Sequence, residues 1–475
     1  MRICMILEGC YPYVRGGVSS WMHSLITSNP QHEYVLWLIG AKAEERGQFK
    51  YDMPDNVAEI HEVFLDDALR LHAGRGDRYA FTKGEIEALR KLILCEDPDW
   101  EVLFRLYNEK KVGALSFLMS HTFLDILMEI CSQRYPHMSF AYFFHSIRSM
   151  FLPALYLLGQ KPPEADVYHA TSTGYGGLLG ALGAWRHHRP YILTEHGIYT
   201  REREEEILRA KWISPQFRQH WINLFYLFSH CAYDRADSVT SLFQRYADIQ
   251  AELGCDPRKQ KVIGNGIRVE RFETVPPREP DGFINITAIV RIHPIKDIKT
   301  MIHAFFALKQ RLPQVRLYIL GDTDDEEYEK ECRALIEQLR VSDIEMPGNV
   351  DVLEYLAFTD FTVLSSISEG QPLAVLESLA AGRPCVTTDV GCCRTLLEGG
   401  EDDDFGPAGM VVPPMHSPAL ANAMEVLATR PDLREEMAEA GVQRVKAHYV
   451  HQDMVDHYNQ NYEEVAAAWR ALDLN

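Results

Sequence analysis

Residues 284–311, INITAIVRIHPIKDIKTMIHAFFALKQR, decide the architecture of this chain. The β-branched, apolar run Ile284–Val290 reads as a buried strand, and Thr300–Arg311 as an amphipathic helix. Between them, Arg291-Ile292-His293-Pro294-Ile295-Lys296-Asp297 delivers two cations from one strand end and its loop. The same alternation recurs in both directions. Ile3–Leu7, Tyr34–Ile39, Val167–Ala170, Tyr191–Thr194 and Ser238–Ser241 read as strands before it. Val315–Leu320, Val386–Thr388 and Met410–Val412 do so after it, with helices expected at Val18–Thr27 and Glu327–Arg340 among others. That rhythm implies α/β architecture, with parallel sheets covered by helices on both faces. No period of about 20–50 residues recurs, which excludes a solenoid.

Three prolines and a glycine interrupt the pattern at 274–282, which reads as a linker. The expected domains are 1–273 and 283–447, with 448–475 as a terminal helix packing back on the first. A helical insertion of about 65–160 lengthens the first domain. Two doubly wound domains facing one another would place their strand ends around a ligand in an interdomain cleft.

The chain has 475 residues, 46% of them hydrophobic, and a formal net charge of −20. Such acidity argues against a polyanion-binding surface built on bulk charge, and leaves room for one local cationic pocket. The most apolar stretches, 112–131 and 138–159, contain His121, Asp125, Glu129, His145 and Arg148. Neither offers the roughly 20 uncharged residues of a spanning helix, so buried core is the plain reading. Docking to a membrane complex is the alternative for that insertion. Met1–Leu7 meets Glu8 and Gly9 too early for a signal peptide. Ten cysteines without C-x-x-C spacing suit reduced thiols in the cytoplasm rather than a zinc site or disulfides.

Four places can carry chemistry. Gly16-Gly17 stands at a strand-to-helix turn, where a ligand can approach the backbone and an anion can meet free N–H groups. His196, in Thr194-Glu195-His196-Gly197, follows a buried strand, where open α/β sheets bind ligands. Arg291 and Lys296 together match a pyrophosphate, Arg as a planar fork and Lys as a point charge. Ser368-Glu369-Gly370-Gln371-Pro372-Leu373-Ala374-Val375-Leu376-Glu377 reads as a loop turning into a helix, followed by Ala380-Ala381-Gly382-Arg383-Pro384. Pro372 suits a first helical turn, and the amides of Leu373, Ala374 and Val375 can meet phosphate oxygens. Carboxylates beside phosphate need sugar hydroxyls to bind, so Glu369 and Glu377 point to a sugar. The acidic runs Arg201–Glu206, Asp324-Asp325 and Asp402-Asp403-Asp404 read as solvated surface.

Arg291 with Lys296, the Glu369-to-Glu377 spacing and the downstream Gly-Xaa-Pro resemble the donor site of retaining GT-B glycosyltransferases of family four. Ile263-Gly264-Asn265-Gly266-Ile267 is similar to the family's P-N-G-V element, with Gly264 in place of proline. More narrowly, EGCYPYVRGGVSSWMHSL, YHATSTGYGGLLGA, TEHGIYTRERE and VRIHPIKD resemble PelF-type enzymes of bacterial exopolysaccharide (Pel) synthesis. The likeness extends from residue 1 to about 430.

The resemblance implies a GT-B fold of two facing Rossmann-like domains and a UDP-sugar donor, with no cofactor and no metal. Gly16 and Gly17 would line the cleft near the phosphates, and His196 would contact the transferred sugar. Arg291 and Lys296 would stabilise the leaving diphosphate. Glu369 would bind the donor sugar and Glu377 the ribose, while Asn265, Gly370, Leu373, Ala374 and Val375 would complete the nucleotide-sugar site. Partners would be a polysaccharide acceptor and an inner-membrane synthesis complex, with no nucleic acid. A nucleotide-sugar epimerase or a catalytically silent scaffold would share the same frame. One departure is Cys392-Cys393-Arg394 after Asp389-Val390-Gly391, where the family has a second glycine and then an acid; Arg394 could add a phosphate contact.

Overall fold

The computed structural model describes residues 1–72, 79–400 and 403–473. The chain forms two compact units, Met1–Ile263 with Tyr458–Asn475, and Gly264–His457.

The first unit is built on seven parallel strands: β1 (Arg2–Glu8), β2 (Glu33–Gly40), β3 (Val57–Phe64), β4 (Val167–Ala170), β5 (Tyr191–Glu195), β6 (Ser238–Ser241) and β7 (Gln260–Val262). Their order, β3-β2-β1-β4-β5-β6-β7, reverses between β1 and β4. That reversal opens a crevice at the carboxyl ends of the strands. β1, β2, β4, β5 and β6 are buried almost throughout, which is why they read as apolar or β-branched runs. β3 is an edge strand with exposed Ala58 and Glu59, and its polar sequence hid it.

The insertion between β3 and β4 is helical, with helices at Lys83–Leu94, Trp100–Phe104, Ala114–Leu118, His121–Arg134 and Phe140–Leu158. Thr82 and Glu85 form a reciprocal cap on the first, and the Asp99 and Ser120 side chains cap two others. Phe117, Phe123, Leu127, Phe143 and Phe151 from both apolar stretches join one hydrophobic core with Tyr168, Leu178 and Phe228. The insertion's apolar side chains are therefore largely spent on packing. No helix among the described residues is long and apolar enough to cross a membrane.

A polar knot ties the chain's last helical turns to this unit. His169, wholly buried on β4, hydrogen-bonds Tyr462 at 2.7 Å through Nδ1 and Thr194 at 2.7 Å through Nε2. Burial pulls its pKa down to about 3, so the ring is neutral and divides its two nitrogens between one donor and one acceptor.

The second unit carries six parallel strands: β8 (Ile284–Ile289), β9 (Val315–Leu320), β10 (Ile344–Gly348), β11 (Phe361–Leu364), β12 (Cys385–Thr388) and β13 (Gly409–Val412). Their order, β10-β9-β8-β11-β12-β13, reverses between β8 and β11. The helix predicted at Thr300–Arg311 spans Ile298–Arg311.

The division falls at Ile263/Gly264 rather than at the prolines. Segment 274–282 is fastened to the second unit, since Arg383 donates to the Pro276 carbonyl at 2.8 Å and Arg278 to Asp360 at 3.3 Å. Gly264–Ile267 is likewise stitched to the region before the terminal helix, with Ile267 donating to Tyr449 at 2.9 Å and His451 to Ile267 at 2.9 Å. Gly266 permits this approach, because a Cβ there would lie 2.4 Å from the Val450 oxygen.

Two acidic runs are not plain solvated surface. Asp403 is buried against Arg444, which also donates to the Leu397 and Gly406 carbonyls, and the guanidinium holds its carboxyl below the usual range. Asp402 lies outside the described residues. Asp325 caps the helix Glu326–Leu339, and Asp324 holds a site residue. The ten cysteines form no disulfide.

Candidate active site

In the second unit, the loops leaving β8, β11 and β12 are bound into one piece. After β8 the chain makes a tight turn, Pro294–Lys296, capped by the His293 ring accepting from Ile295 at 3.2 Å. Asp297 follows in the left-handed conformation (φ 46°) and accepts from Thr300 at the helix start. Ser365 Oγ donates to the Lys296 and Asp297 carbonyls at 2.8 and 3.0 Å, and Ile367 to that of Ile295 at 2.8 Å. Thr388, ending β12, donates to the Ser366 carbonyl at 2.6 Å.

On this frame Lys296 Nζ meets Glu369 Oε1 at 2.6 Å, and Ser366 Oγ donates to the same oxygen at 2.5 Å. The pair is largely withdrawn from solvent, at 17% and 10% side-chain exposure. Desolvation makes such a pair costly unless its geometry is good and its free lone pairs are bound, which Ser366 helps to satisfy. Arg291 is not part of it: its guanidinium pairs with Asp324 at 2.5 Å, and its side chain is about half exposed. Four of its five donors are left for other partners.

Gly370 is locked from behind. Its carbonyl accepts from Cys392 at 3.1 Å, and a Cβ on Gly391 (φ 57°) would stand 2.2 Å from that oxygen. Helix Leu373–Ala380 then begins at Pro372 without a side-chain cap. Leu373 and Ala374 have no intrahelical acceptor for their amides, whereas Val375 donates to the Pro372 carbonyl at 3.1 Å. Glu377, further along, is half-buried; burial lifts its pKa to about 7, opposed by the charge of Arg271. Asn265 is buried, with its Oδ1 unpartnered. Arg394 is held by Asp389 at 2.6 Å and Glu398 at 2.8 Å.

The first unit has its own polar cluster at the carboxyl ends of β1, β4 and β5. Gly16 precedes a helix, Gly17–Thr27, that has no side-chain cap. His196 packs edge-on to Trp21, with ring centroids 4.3 Å apart, and its Nε2 is buried without a partner. Burial lowers its pKa to about 4, so the ring is neutral. Glu8 accepts from Tyr199 Oη at 2.8 Å, the Gly176 amide at 3.0 Å and Ser172 Oγ at 3.2 Å, with Arg203 at 3.5 Å. Arg203 thus turns inward from the run read as solvated, stacking over Tyr199. Glu195 is buried, accepts from Tyr233 at 2.6 Å and Gln250 at 2.9 Å, and has its pKa raised by burial to about 7.

Several partners escape motif reading. Ser366 lies one turn before a motif glutamate. Gln371 accepts from the Asn265 amide at 2.6 Å across 106 residues, and Trp21 is an apolar position on a helix. Only Gln371, a polar residue in an otherwise apolar entry to a helix, gave a local signal.

Comparison with known proteins fits these two halves. Residues 284–430 match the model of glycosyl transferases group 1. EpsD of Bacillus subtilis (strain 168), named as a glycosyltransferase, is 27% identical over 294 residues, covering 58% of this chain and 71% of that one. WcaL of Salmonella typhimurium, named for colanic acid biosynthesis, is 28% identical over 288 residues, covering 58% of this chain and 64% of its own. This chain thus spans about two thirds of the length of those relatives. Among solved structures, Anabaena HepE in complex with UDP has a TM-score of 0.61 at 13% identity, covering 98% of this chain and 100% of that one. Sucrose-phosphate synthase from Thermosynechococcus elongatus has a TM-score of 0.61 at 14% identity, covering 98% and 99%. The two parallel-sheet units have the GT-B fold, and the second is a glycosyl transferase group 1 domain. The chain belongs to the family described as Domain of unknown function (DUF3492), whose model matches residues 1–258.

Proposed function

We propose that the protein is a retaining glycosyltransferase that moves a hexose or N-acetylhexosamine from a UDP-sugar to a growing exopolysaccharide of the Pel type. The observation that carries the reading is the Lys296–Glu369 pair, held at the carboxyl ends of β8 and β11 beside the uncapped helix start at Leu373. A nucleoside diphosphate leaving group gathers negative charge as its bond to the sugar breaks. Lys296, with Arg291 and the Leu373 and Ala374 amides, stabilises that charge, so no metal ion is needed. Glu369 then accepts from a sugar hydroxyl while keeping Lys296 in place, and Glu377 accepts from the ribose diol. Asn265 Oδ1, buried and unpartnered, adds an acceptor to the same ligand.

From the first unit, neutral His196 offers its free Nε2 to the transferred sugar. The acceptor hydroxyl attacks from the leaving-group face, with a phosphate oxygen taking its proton, and anomeric configuration is retained. The names of EpsD and WcaL and the UDP bound by HepE support the substrate class. The setting is cytoplasmic, alongside an inner-membrane synthesis complex. The test is a panel of nucleotide sugars assayed for nucleotide release with acceptor oligosaccharides, with product configuration read by NMR. UDP release tied to an α-product from an α-donor, undiminished by EDTA, is expected; an inverted product or strict Mg²⁺ dependence overturns the mechanism.

A further inference from the structure

The most exposed aromatic side chain among the described residues follows the helix that carries Tyr199 and Arg203. Trp212, 75% exposed, sits in the short loop between helices Tyr199–Arg209 and Pro215–Arg235, and Leu208, in the last turn of the first helix, is 50% exposed. Its indole is braced edge-on by Trp221, with ring centroids 5.7 Å apart, so it stands out from the surface in a defined pose. The local charge is opposite to that of the chain. From Ile207 to Tyr233 there is no Asp or Glu in a protein containing 68, while Arg209, Lys211 and Arg218 fall within that stretch. Arg209 and Lys211 are exposed, and Arg218 Nε is buried without a partner. The nearest acids in sequence precede the loop: Glu206 pairs with Arg203 at 2.6 Å, Glu205 pairs loosely with Arg209 at 3.4 Å, and Glu204 accepts from Tyr226.

We propose that this loop docks the first unit on an anionic phospholipid bilayer surface. An indole flanked by an aliphatic side chain and cations, with no carboxylate on the loop itself, suits the headgroup boundary. There the ring sits between acyl chains and water, and the cations meet lipid phosphates. One indole and two exposed cations, Arg209 and Lys211, give weak, reversible attachment, since stable anchoring takes more buried apolar area or a lipid chain. The inference does not rest on the donor-site reading.

The experiment is flotation of the full chain with phosphatidylcholine vesicles containing phosphatidylglycerol, with pure phosphatidylcholine vesicles as control. The protein is expected to float with the anionic vesicles only, and to be released by salt. Lys211→Gln should weaken partition about fivefold, the effect of one cation near such a surface. Trp212→Ser should abolish flotation, and because the side chain is exposed the fold is untouched. Failure of the native chain to float overturns the proposal, as does undiminished flotation of Trp212→Ser. A change of oligomeric state in Trp212→Ser, without vesicle binding by the native chain, makes the face a protein interface and equally overturns it. Nucleotide-sugar turnover in solution stays unchanged in both variants; its absence in the native chain counts against the donor reading alone.

Discussion

The carboxyl ends of the two sheets solve the same problem with opposite chemistry. In the second unit a lysine and a glutamate are paired, and the loops beneath them are cross-bonded from three strands. In the first unit the groups around His196 carry less charge: His196 with its pKa drawn down, Glu195 with its pKa pushed up, and Trp21 as an apolar wall, with the Glu8–Arg203 pair in the same cluster. A charged pair suits a diphosphate, whose charge changes during transfer. A polar surface of weakly charged groups suits hydroxyl-rich ligands, which need acceptors and donors in fixed places.

Breaking the charged half should have the largest consequence. Lys296→Ala strands Glu369 in a desolvated setting and removes the cation proposed to stabilise the leaving group. Turnover should fall by about 10²–10³-fold in a nucleotide-release assay, the scale of losing one preorganised electrostatic contact. A variant within threefold of the native rate would end the comparison between the halves.

The less charged half should answer in stability. Tyr462→Phe deprives His169 of a partner at full burial, and should cost about 1–3 kcal/mol in urea unfolding. Nucleotide-sugar turnover measured well below the unfolding midpoint should be untouched.

Glu195→Gln sharpens the contrast through pH. The folded pKa of about 7 lies above that of the unfolded carboxyl, so the fold binds the proton more tightly than the unfolded chain does. Stability from this group is present below about pH 4.5 and is lost as pH rises through about 7. The glutamine variant should therefore lose about 2–3 kcal/mol less than the native chain between those limits. The buried histidines work in the other direction. His169 and His196, with folded pKa values near 3 and 4, withdraw stability as pH falls below about 6.5 in both proteins.

The smallest effect expected is on donor affinity. Glu377 ionises near pH 7, and its carboxylate is the better acceptor for a ribose diol. UDP-sugar binding, followed by calorimetry, should tighten by a few-fold between about pH 6 and pH 8, and Glu377→Gln should flatten that slope. An equally steep slope in the variant would detach Glu377 from the ligand.

Legibility follows burial and locality. Most strands at the sheet centres were visible because a strand buried on both faces must be apolar throughout; β11, equally buried beside β8, was not read as a strand. The edge strand β3 was not read either, because only Val63 and Phe64 of its eight residues are buried. Motif residues such as Lys296 and Glu369 stood out by spacing, yet nothing local distinguishes Arg291, bound to Asp324, from Lys296, bound to Glu369. The proline-rich 274–282 looked like a boundary because prolines break periodicity, but Arg278, bound to Asp360, and Arg383 fasten it down.

By itself the sequence determined two parallel α/β halves and singled out the residues proposed to bind a sugar nucleotide, since these depend on hydrophobic period and on side-chain type. Tertiary structure alone decided which cation meets which carboxylate and where one unit passes into the other. It also decided which of the chain's apolar surface is spent in the core and which, at Trp212, is left facing out. Those outcomes depend on contacts between segments far apart in the chain, whose partners become definite only once the sheets are assembled.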